Sequence, residues 1–118
     1  VDQVNWDSDA DRYMIMRSVL HAVDVSTPTK PTEQALVQSK NLSEEFKRQV
    51  DEEVSLGMEP LPFMAPKDEA ARAQLEVNFI DYIVLPLWQN IVVRFPESSC
   101  CLDNLNENKK YYLDKLSK

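Results

Sequence analysis

The sequence predicts an all-α fold, and three observations carry this prediction. Apolar residues recur at helical intervals along most of the chain, as an amphipathic helix requires. No segment shows the alternation of apolar and polar residues that is typical of a half-buried strand. Most of the seven prolines lie between the apolar runs, where they mark the ends of helices.

A first helix is expected to be capped by Asp9 or Asp11. The segment Thr27 to Pro31 ends it, because two prolines this close cannot sit inside one helix. Its apolar residues are Tyr13, Met14, Met16, Val19, Leu20 and Val23.

A second helix is expected from about Thr32 to Leu56, with Thr32 as a plausible cap. Its apolar positions are four or seven residues apart, which places them on one face. Gly57 is expected to stop the helix in a left-handed conformation. The apolar stripe consists of Ala35, Leu42, Phe46, Val50 and Val54.

The segment Glu59 to Pro66 contains three prolines and is expected to be an ordered, irregular loop. Its apolar residues Leu61, Phe63 and Met64 are expected to be buried over a neighbouring pocket.

A third helix is expected to begin near Lys67 or Asp68 and to continue to about Ile91, with a kink or local break at Pro86. The segment Phe79 to Leu87 is apolar on more than one face, so deep burial is expected. A last helix is expected to open at Ser98 and to carry Leu102, Leu105, Tyr112, Leu113 and Leu116.

Composition limits the function classes. The chain has 118 residues and a net charge of −7, which fits one small domain and disfavours a general nucleic-acid binder. Gly57 is the single glycine, which excludes a glycine-rich phosphate loop. Two adjacent cysteines make no disulfide framework, so a reducing, cytoplasmic location is expected. No apolar run has the length of a transmembrane helix.

Two segments stand out for their possible chemistry. His21 to Pro31 reads His-Ala-Val-Asp-Val-Ser-Thr-Pro-Thr-Lys-Pro and places Asp24 between an apolar run and a proline-rich turn. A carboxylate at a helix end is well placed to meet a metal ion, although it can also serve only to terminate the helix. Asn78 to Trp88 reads Asn-Phe-Ile-Asp-Tyr-Ile-Val-Leu-Pro-Leu-Trp.

In this order and at this spacing, the two segments resemble the C-terminal part of the catalytic domain of class I 3′,5′-cyclic-nucleotide phosphodiesterases. The resemblance extends from about Met14 to Leu113. It implies that residues 1–118 are the C-terminal portion of an incomplete, multi-helix catalytic domain. The remainder of the domain, upstream of Val1, is then an expected partner. A chain that starts without Met agrees with a fragment, an engineered boundary or processing.

The resemblance also implies chemistry. Family members bind two divalent metals, usually zinc and magnesium, with manganese as an alternative, and hydrolyse cAMP or cGMP to the 5′-monophosphate. Asp24 matches the metal-bridging aspartate in a His-x-x-Asp-x-Ser-x-Pro setting. Leu42 and Phe79 match the two positions that sandwich the purine ring, and Phe46 matches another position that lines the pocket. For each of these three, ordinary core packing is the alternative.

Several positions depart from the family's pattern. Glu76 stands where the family has its purine-binding glutamine, and Thr27 stands where asparagine is common. Glutamine offers a donor and an acceptor, whereas a carboxylate only accepts, so adenine would meet a mismatch. A protonated Glu76 would partly restore the donor.

The family's other metal ligands and its general acid are upstream residues, mainly histidines, and this chain has only His21. We therefore expect no catalytic residue within the chain and no activity from it alone. The leading hypothesis is a segment of a metal-dependent cyclic-nucleotide hydrolase. One alternative is a non-catalytic phosphodiesterase-like module with a structural or regulatory role, and another is an acidic four-helix adaptor. A homodimer, and membrane association through regions outside this chain, are left open.

Overall fold

The computed structural model describes residues 3–118, so Val1 and Asp2 lie outside the described residues. Helices connected by short turns make up this part of the chain, and it contains no strand, which confirms the all-α prediction. The five α-helices are α1 (Asp9–Asp24), α2 (Thr32–Ser55), α3 (Glu69–Phe79), α4 (Leu85–Arg94) and α5 (Ser99–Leu116).

The caps of α1 and α2 differ from those expected. Ser8 precedes α1, and its hydroxyl accepts a hydrogen bond from the backbone N–H of Asp11 at 3.3 Å. Asp9 and Asp11 therefore lie in the first turn, where negative charge complements the helix dipole, and neither is the cap. Thr32 is the first helical residue of α2, because Pro31 occupies the capping position without a side-chain hydrogen bond.

The end of α2 is the one predicted. Gly57 adopts a φ of 72°, a left-handed conformation that side chains with a Cβ rarely tolerate. Its N–H donates to Val54 O at 3.0 Å, and the N–H of Met58 donates to Glu53 O at 2.8 Å. These two bonds form a Schellman motif, which satisfies carbonyl groups at the end of the helix.

Pro86 divides the predicted third helix. A π-helical segment, Ile80–Val84, separates α3 from α4, and the N–H of Leu85 donates to Ile80 O, five residues back. Proline has no N–H and its ring crowds the preceding turn, so a wider turn before Pro86 removes the conflict. The predicted local break is therefore confirmed, and it takes the form of a π-helical segment.

Burial along Phe79 to Leu87 is less complete than expected. Ile80 and Val84 are 1% and 0% exposed, whereas Tyr82 is 80% and Ile83 is 47% exposed. One face of this segment packs into the core, and the opposite face meets solvent.

The core lies between α5 and the α3–α4 pair, with α1 against one side. Leu105 of α5 and Val84 are both 0% exposed and lie at its centre. An ion pair between Lys109 Nζ and Asp81 Oδ1 at 2.6 Å joins α5 to the π-helical segment at the edge of the core. The buried cluster consists of Ala22, Ala73, Val77, Ile80, Val84, Trp88, Ile91, Leu105 and Tyr112.

Two asparagines of α5 hold the turn between α1 and α2. Asn108 is 2% exposed, and its Nδ2 donates to Pro28 O at 2.7 Å and to Lys30 O at 2.8 Å. Asn104 Nδ2 donates to Thr29 O at 3.0 Å. Consecutive carbonyl groups of a buried turn thus find donors on a helix about 80 residues away in sequence.

The outer face of α1 remains exposed. Tyr13, Met16, Leu20 and Val23 recur at helical spacing and are between 56% and 71% exposed. Ile15 and Ala22, on the opposite face, are buried. Among residues 3–118, none of the helices combines the length and apolarity that a membrane crossing requires.

The hydrogen bonds of Asn108 generate a stability prediction. Asn108→Ala should lower the free energy of unfolding by about 2–4 kcal/mol, because the carbonyls of Pro28 and Lys30 each lose a donor and a small cavity is created. Chemical denaturation of the longest natural polypeptide that contains this chain measures the change. Asn106→Ala, at an exposed position of the same helix, is the control. Equal effects of the two substitutions would contradict the proposed anchoring of the turn.

Candidate functional site

A cavity of about 670 Å³ lies between α2, the turn Pro62–Met64 and α3 with the π-helical segment that follows it. Its walls are mainly apolar, with a few polar side chains. This combination is typical of a small-molecule site. The lining residues are Ser39, Leu42, Ser43, Phe46, Phe63, Met64, Pro66, Arg72, Leu75, Glu76, Asn78, Phe79, Tyr82 and Ile83.

Four sequence-predicted positions meet in this cavity. Leu42 and Phe46 come from successive turns of α2, and Glu76 and Phe79 lie one turn apart on α3. Leu42 is 49% exposed, so much of its side chain is available to a ligand. The structure brings the four together, and their contact with a substrate stays a prediction.

The loop before α3 closes one end of the cavity. The rings of Phe46 and Phe63 meet edge to face, with centroids 6.1 Å apart and planes at 80°. Met64 is buried, as expected. The expectation for the other two loop residues is wrong, because Leu61 is 57% and Phe63 is 52% exposed. Phe63 lines the cavity despite its exposure, whereas Leu61 does not.

A polar cluster forms the wall beside Glu76. The hydroxyl of Ser39, which is 7% exposed, donates a hydrogen bond to Glu76 Oε1. Burial raises the pKa of Tyr112, and the negative charge of Glu76 raises it further, while the nearby Ser39 hydroxyl and the charge of Arg72 lower it. Glu76 is thus held between α2 and α5 rather than extended into solvent.

Asp24 and Thr27 do not line this cavity. Asp24 is the last residue of α1, and its side chain is exposed. Thr27 is half-buried, and its Oγ1 donates to Gln38 Oε1 at 3.2 Å. Lys30 Nζ donates to the same oxygen at 3.0 Å. Thr27 therefore connects the turn after Asp24 to Gln38 on α2, the residue before Ser39.

The described residues do not build a metal centre by themselves. Within residues 3–118, no three side chains of His, Cys, Asp or Glu are grouped closely enough to hold a metal ion. Transition-metal and magnesium sites need several ligands, so one aspartate is insufficient. Asp24 can supply one carboxylate ligand. The remaining ligands of a metal centre would have to come from outside residues 3–118.

Sequence analysis missed Ser39, Asn104, Asn108 and Tyr112 as residues that shape the site. Two of them carried a usable signal. Asn108 lies on the apolar stripe of α5, three residues after Leu105 and four before Tyr112. Ser39 lies four residues after Ala35 on the buried face of α2. A polar residue at a core position of an amphipathic helix predicts a buried hydrogen bond, although not its partner.

Comparisons with known proteins agree with this arrangement. The family model described as 3′5′-cyclic nucleotide phosphodiesterase matches residues 1–105. A probable 3′,5′-cyclic-AMP phosphodiesterase of Caenorhabditis elegans is 36% identical over 109 residues, which are 90% of this chain and 16% of that protein. Isoform F of a 3′,5′-cyclic-AMP phosphodiesterase of Drosophila melanogaster is 37% identical over 107 residues, again 90% of this chain and 16% of that protein.

Solved structures show the same relationship. The phosphodiesterase domain of the RhoPDE fusion protein from the choanoflagellate Salpingoeca rosetta superposes with a TM-score of 0.86 at 30% identity, over 94% of this chain and 35% of that one. LmjPDEB1 in complex with IBMX superposes with a TM-score of 0.85 at 29% identity, over 98% of this chain and 35% of that one.

These matches also show how much of each relative the chain covers. It spans 16% of the length of the two curated relatives and 35% of the two solved chains. The family model nevertheless covers most of it. The chain therefore belongs to the 3′,5′-cyclic nucleotide phosphodiesterase family and corresponds to a segment of that family's catalytic domain.

Proposed function

We propose that this chain forms the base pocket of a metal-dependent phosphodiesterase that hydrolyses a cyclic nucleotide to the 5′-monophosphate. The observation that carries the proposal is the convergence of Leu42, Phe46, Glu76 and Phe79 on one cavity of about 670 Å³. These residues come from two helices, and the resemblance assigns all four to the purine pocket.

The physical properties of the cavity support a purine ligand. Its volume lies within the range of small-molecule sites, about 300–1,000 Å³. A flat base is well stabilised between an aromatic ring and a branched aliphatic side chain, which Phe79 and Leu42 offer. The curated relatives are named 3′,5′-cyclic-AMP phosphodiesterases, which supports a cyclic nucleotide as the ligand class.

In this proposal Asp24 supplies one ligand to a divalent metal centre, of zinc, magnesium or manganese, whose other ligands lie outside the described residues. When bound, such metals supply a hydroxide nucleophile at neutral pH. The exposed carboxylate of Asp24 sits at a helix end whose following turn is fixed by α5, so it is free to coordinate but limited in position. Thr27 supports α2 behind the pocket through Gln38.

A second candidate is a non-catalytic phosphodiesterase-like module that retains the fold and has a structural or regulatory role. This candidate is favoured by the replacement of the family's glutamine with Glu76, whose carboxylate accepts a hydrogen bond from Ser39. Chelator-sensitive turnover distinguishes the two candidates, because only the enzyme requires a metal for function.

We also propose a cytoplasmic location, since Cys100 and Cys101 are free thiols.

The exposed apolar face of α1 offers a surface on which a homodimer could form. Light scattering of the longest natural polypeptide that contains this chain would measure its oligomeric state.

The metal role of Asp24 predicts a loss of turnover. In the longest natural polypeptide, Asp24→Asn should lower magnesium-dependent hydrolysis of cAMP and cGMP by at least about 100-fold, because a ligand charge is lost. Excess chelator should have a comparable effect on the unchanged protein. Asp103→Asn, an exposed aspartate on α5, is the matched control and should keep full activity. Retained turnover in Asp24→Asn refutes the ligand role.

The base-pocket role of Leu42 predicts a change in KM. Leu42→Ala should raise KM for the preferred nucleotide about tenfold while stability hardly changes, because this half-exposed side chain contributes to the ligand more than to the core. Val37→Ala provides the control, since Val37 is 55% exposed on the same helix and lies outside the cavity. Identical KM values for the two variants would show that the base does not contact this wall. Steady-state kinetics and a thermal melt provide the two measurements.

A further inference from the structure

We infer that this pocket selects guanine over adenine, with Glu76 as the specificity-determining residue and Ser39 as its positioning residue. The inference rests on the proposed function and makes it more specific, because it concerns which cyclic nucleotide the same cavity accepts. The curated relatives are named for cyclic AMP, so the inferred preference separates this chain from them.

The position of Glu76 is fixed by its surroundings. It lies on α3, one turn before Phe79, and both residues line the cavity. Oε1 of Glu76 accepts the hydroxyl of Ser39, which is itself 7% exposed on α2. The carboxylate therefore belongs to the wall against which the edge of a base would rest.

The side chains that surround Glu76 can accommodate a carboxylate at this wall. Tyr112 of α5 lies next to the same cluster, where burial and then the charge of Glu76 raise its pKa, so its phenol stays protonated at neutral pH. Arg72, one turn before Glu76 on α3, also lines the cavity and provides positive charge nearby. The carboxylate thus has hydroxyl neighbours and a cation, which reduce the cost of partial burial.

The hydrogen-bonding capacity of a carboxylate decides between the two bases. A carboxylate has two acceptor oxygens with about four lone-pair sites and no donor, so the bond from Ser39 leaves room for two more. Guanine presents two adjacent donors, N1–H and the 2-amino group, which can bond to the two oxygens side by side. Adenine presents one donor, the 6-amino group, next to the N1 lone pair, which would face a negatively charged oxygen.

Ser39 strengthens this selection by restricting the carboxylate. A free glutamate side chain can rotate away from an adenine edge at little cost. The bond to Ser39 holds Glu76 at the wall, so the unfavourable contact with the N1 lone pair is retained.

The test is the ratio of kcat/KM for cGMP to that for cAMP in the longest natural polypeptide that contains this chain. The unchanged protein should favour cGMP. Glu76→Gln should lower the ratio by at least about tenfold, because glutamine restores a donor for adenine and removes one acceptor for guanine. Glu107→Gln, an exposed glutamate on α5, makes the same chemical change outside the cavity and should leave the ratio unchanged.

The role of Ser39 has its own readout. Ser39→Ala should lower the ratio through a smaller KM for cAMP with little change in kcat, and Ser39→Thr, which keeps the hydroxyl, should restore it. Ser55→Ala, at an exposed position of α2 outside the cavity, should leave the ratio unaltered. A purely structural role for Ser39 would instead lower activity on both nucleotides equally, and that result would overturn the assignment of Ser39 as a positioning residue.

The outcomes separate this inference from the proposed function. Turnover with a preference for cAMP, or a ratio that Glu76→Gln does not change, overturns the base selection and leaves the phosphodiesterase function intact. If neither nucleotide is hydrolysed, the enzyme proposal fails, and equilibrium titration with cGMP and cAMP becomes the deciding measurement. Tighter binding of cGMP that is lost in Glu76→Gln then supports the selection, whereas binding of neither overturns it.

Discussion

The fold depends on the hydrogen bonds by which α5 holds the turn between α1 and α2. Asn108 and Asn104 satisfy the carbonyls of Pro28, Thr29 and Lys30 from a helix near the other end of the sequence. A proline-rich turn provides few donors of its own, so its buried carbonyls need partners from elsewhere. This anchoring sets where α1 ends, where α2 begins and therefore where the side chains of α2 lie relative to α3.

The cavity follows from that placement. With α2 fixed at its start, Ser39, Leu42 and Phe46 lie opposite α3, and Ser39 contacts Glu76. The π-helical segment before Pro86 then decides which side chains after Phe79 turn inward: Ile80 and Val84 enter the core, and Tyr82 and Ile83 stay at the rim of the cavity. One proline thus shapes both the core and the opening of the pocket.

Much of this could be predicted from the sequence, because helix periodicity, Gly57 and the prolines act locally. The Schellman motif at Gly57 and the break at Pro86 are examples. The cap at Ser8 and the exposure of Phe63 were not predicted. Neighbouring residues of similar chemistry can be told apart only by their positions in the folded structure. The Ser39–Glu76 bond joins residues 37 positions apart, and no local pattern encodes such a pairing. Kinship with a known family, rather than periodicity, pointed to Leu42, Phe46, Glu76 and Phe79 as one group.

We propose that this cavity receives the base of a nucleotide, while Asp24 faces a metal centre completed by other parts of the protein. A crystal structure of the longest natural polypeptide with magnesium and a bound 5′-nucleotide product tests it most directly. We expect density for the base between Leu42 and Phe79, with its edge at Glu76, and a metal ion at the carboxylate of Asp24. A nucleotide bound elsewhere with this cavity filled by protein, or a metal centre that does not include Asp24, would contradict it.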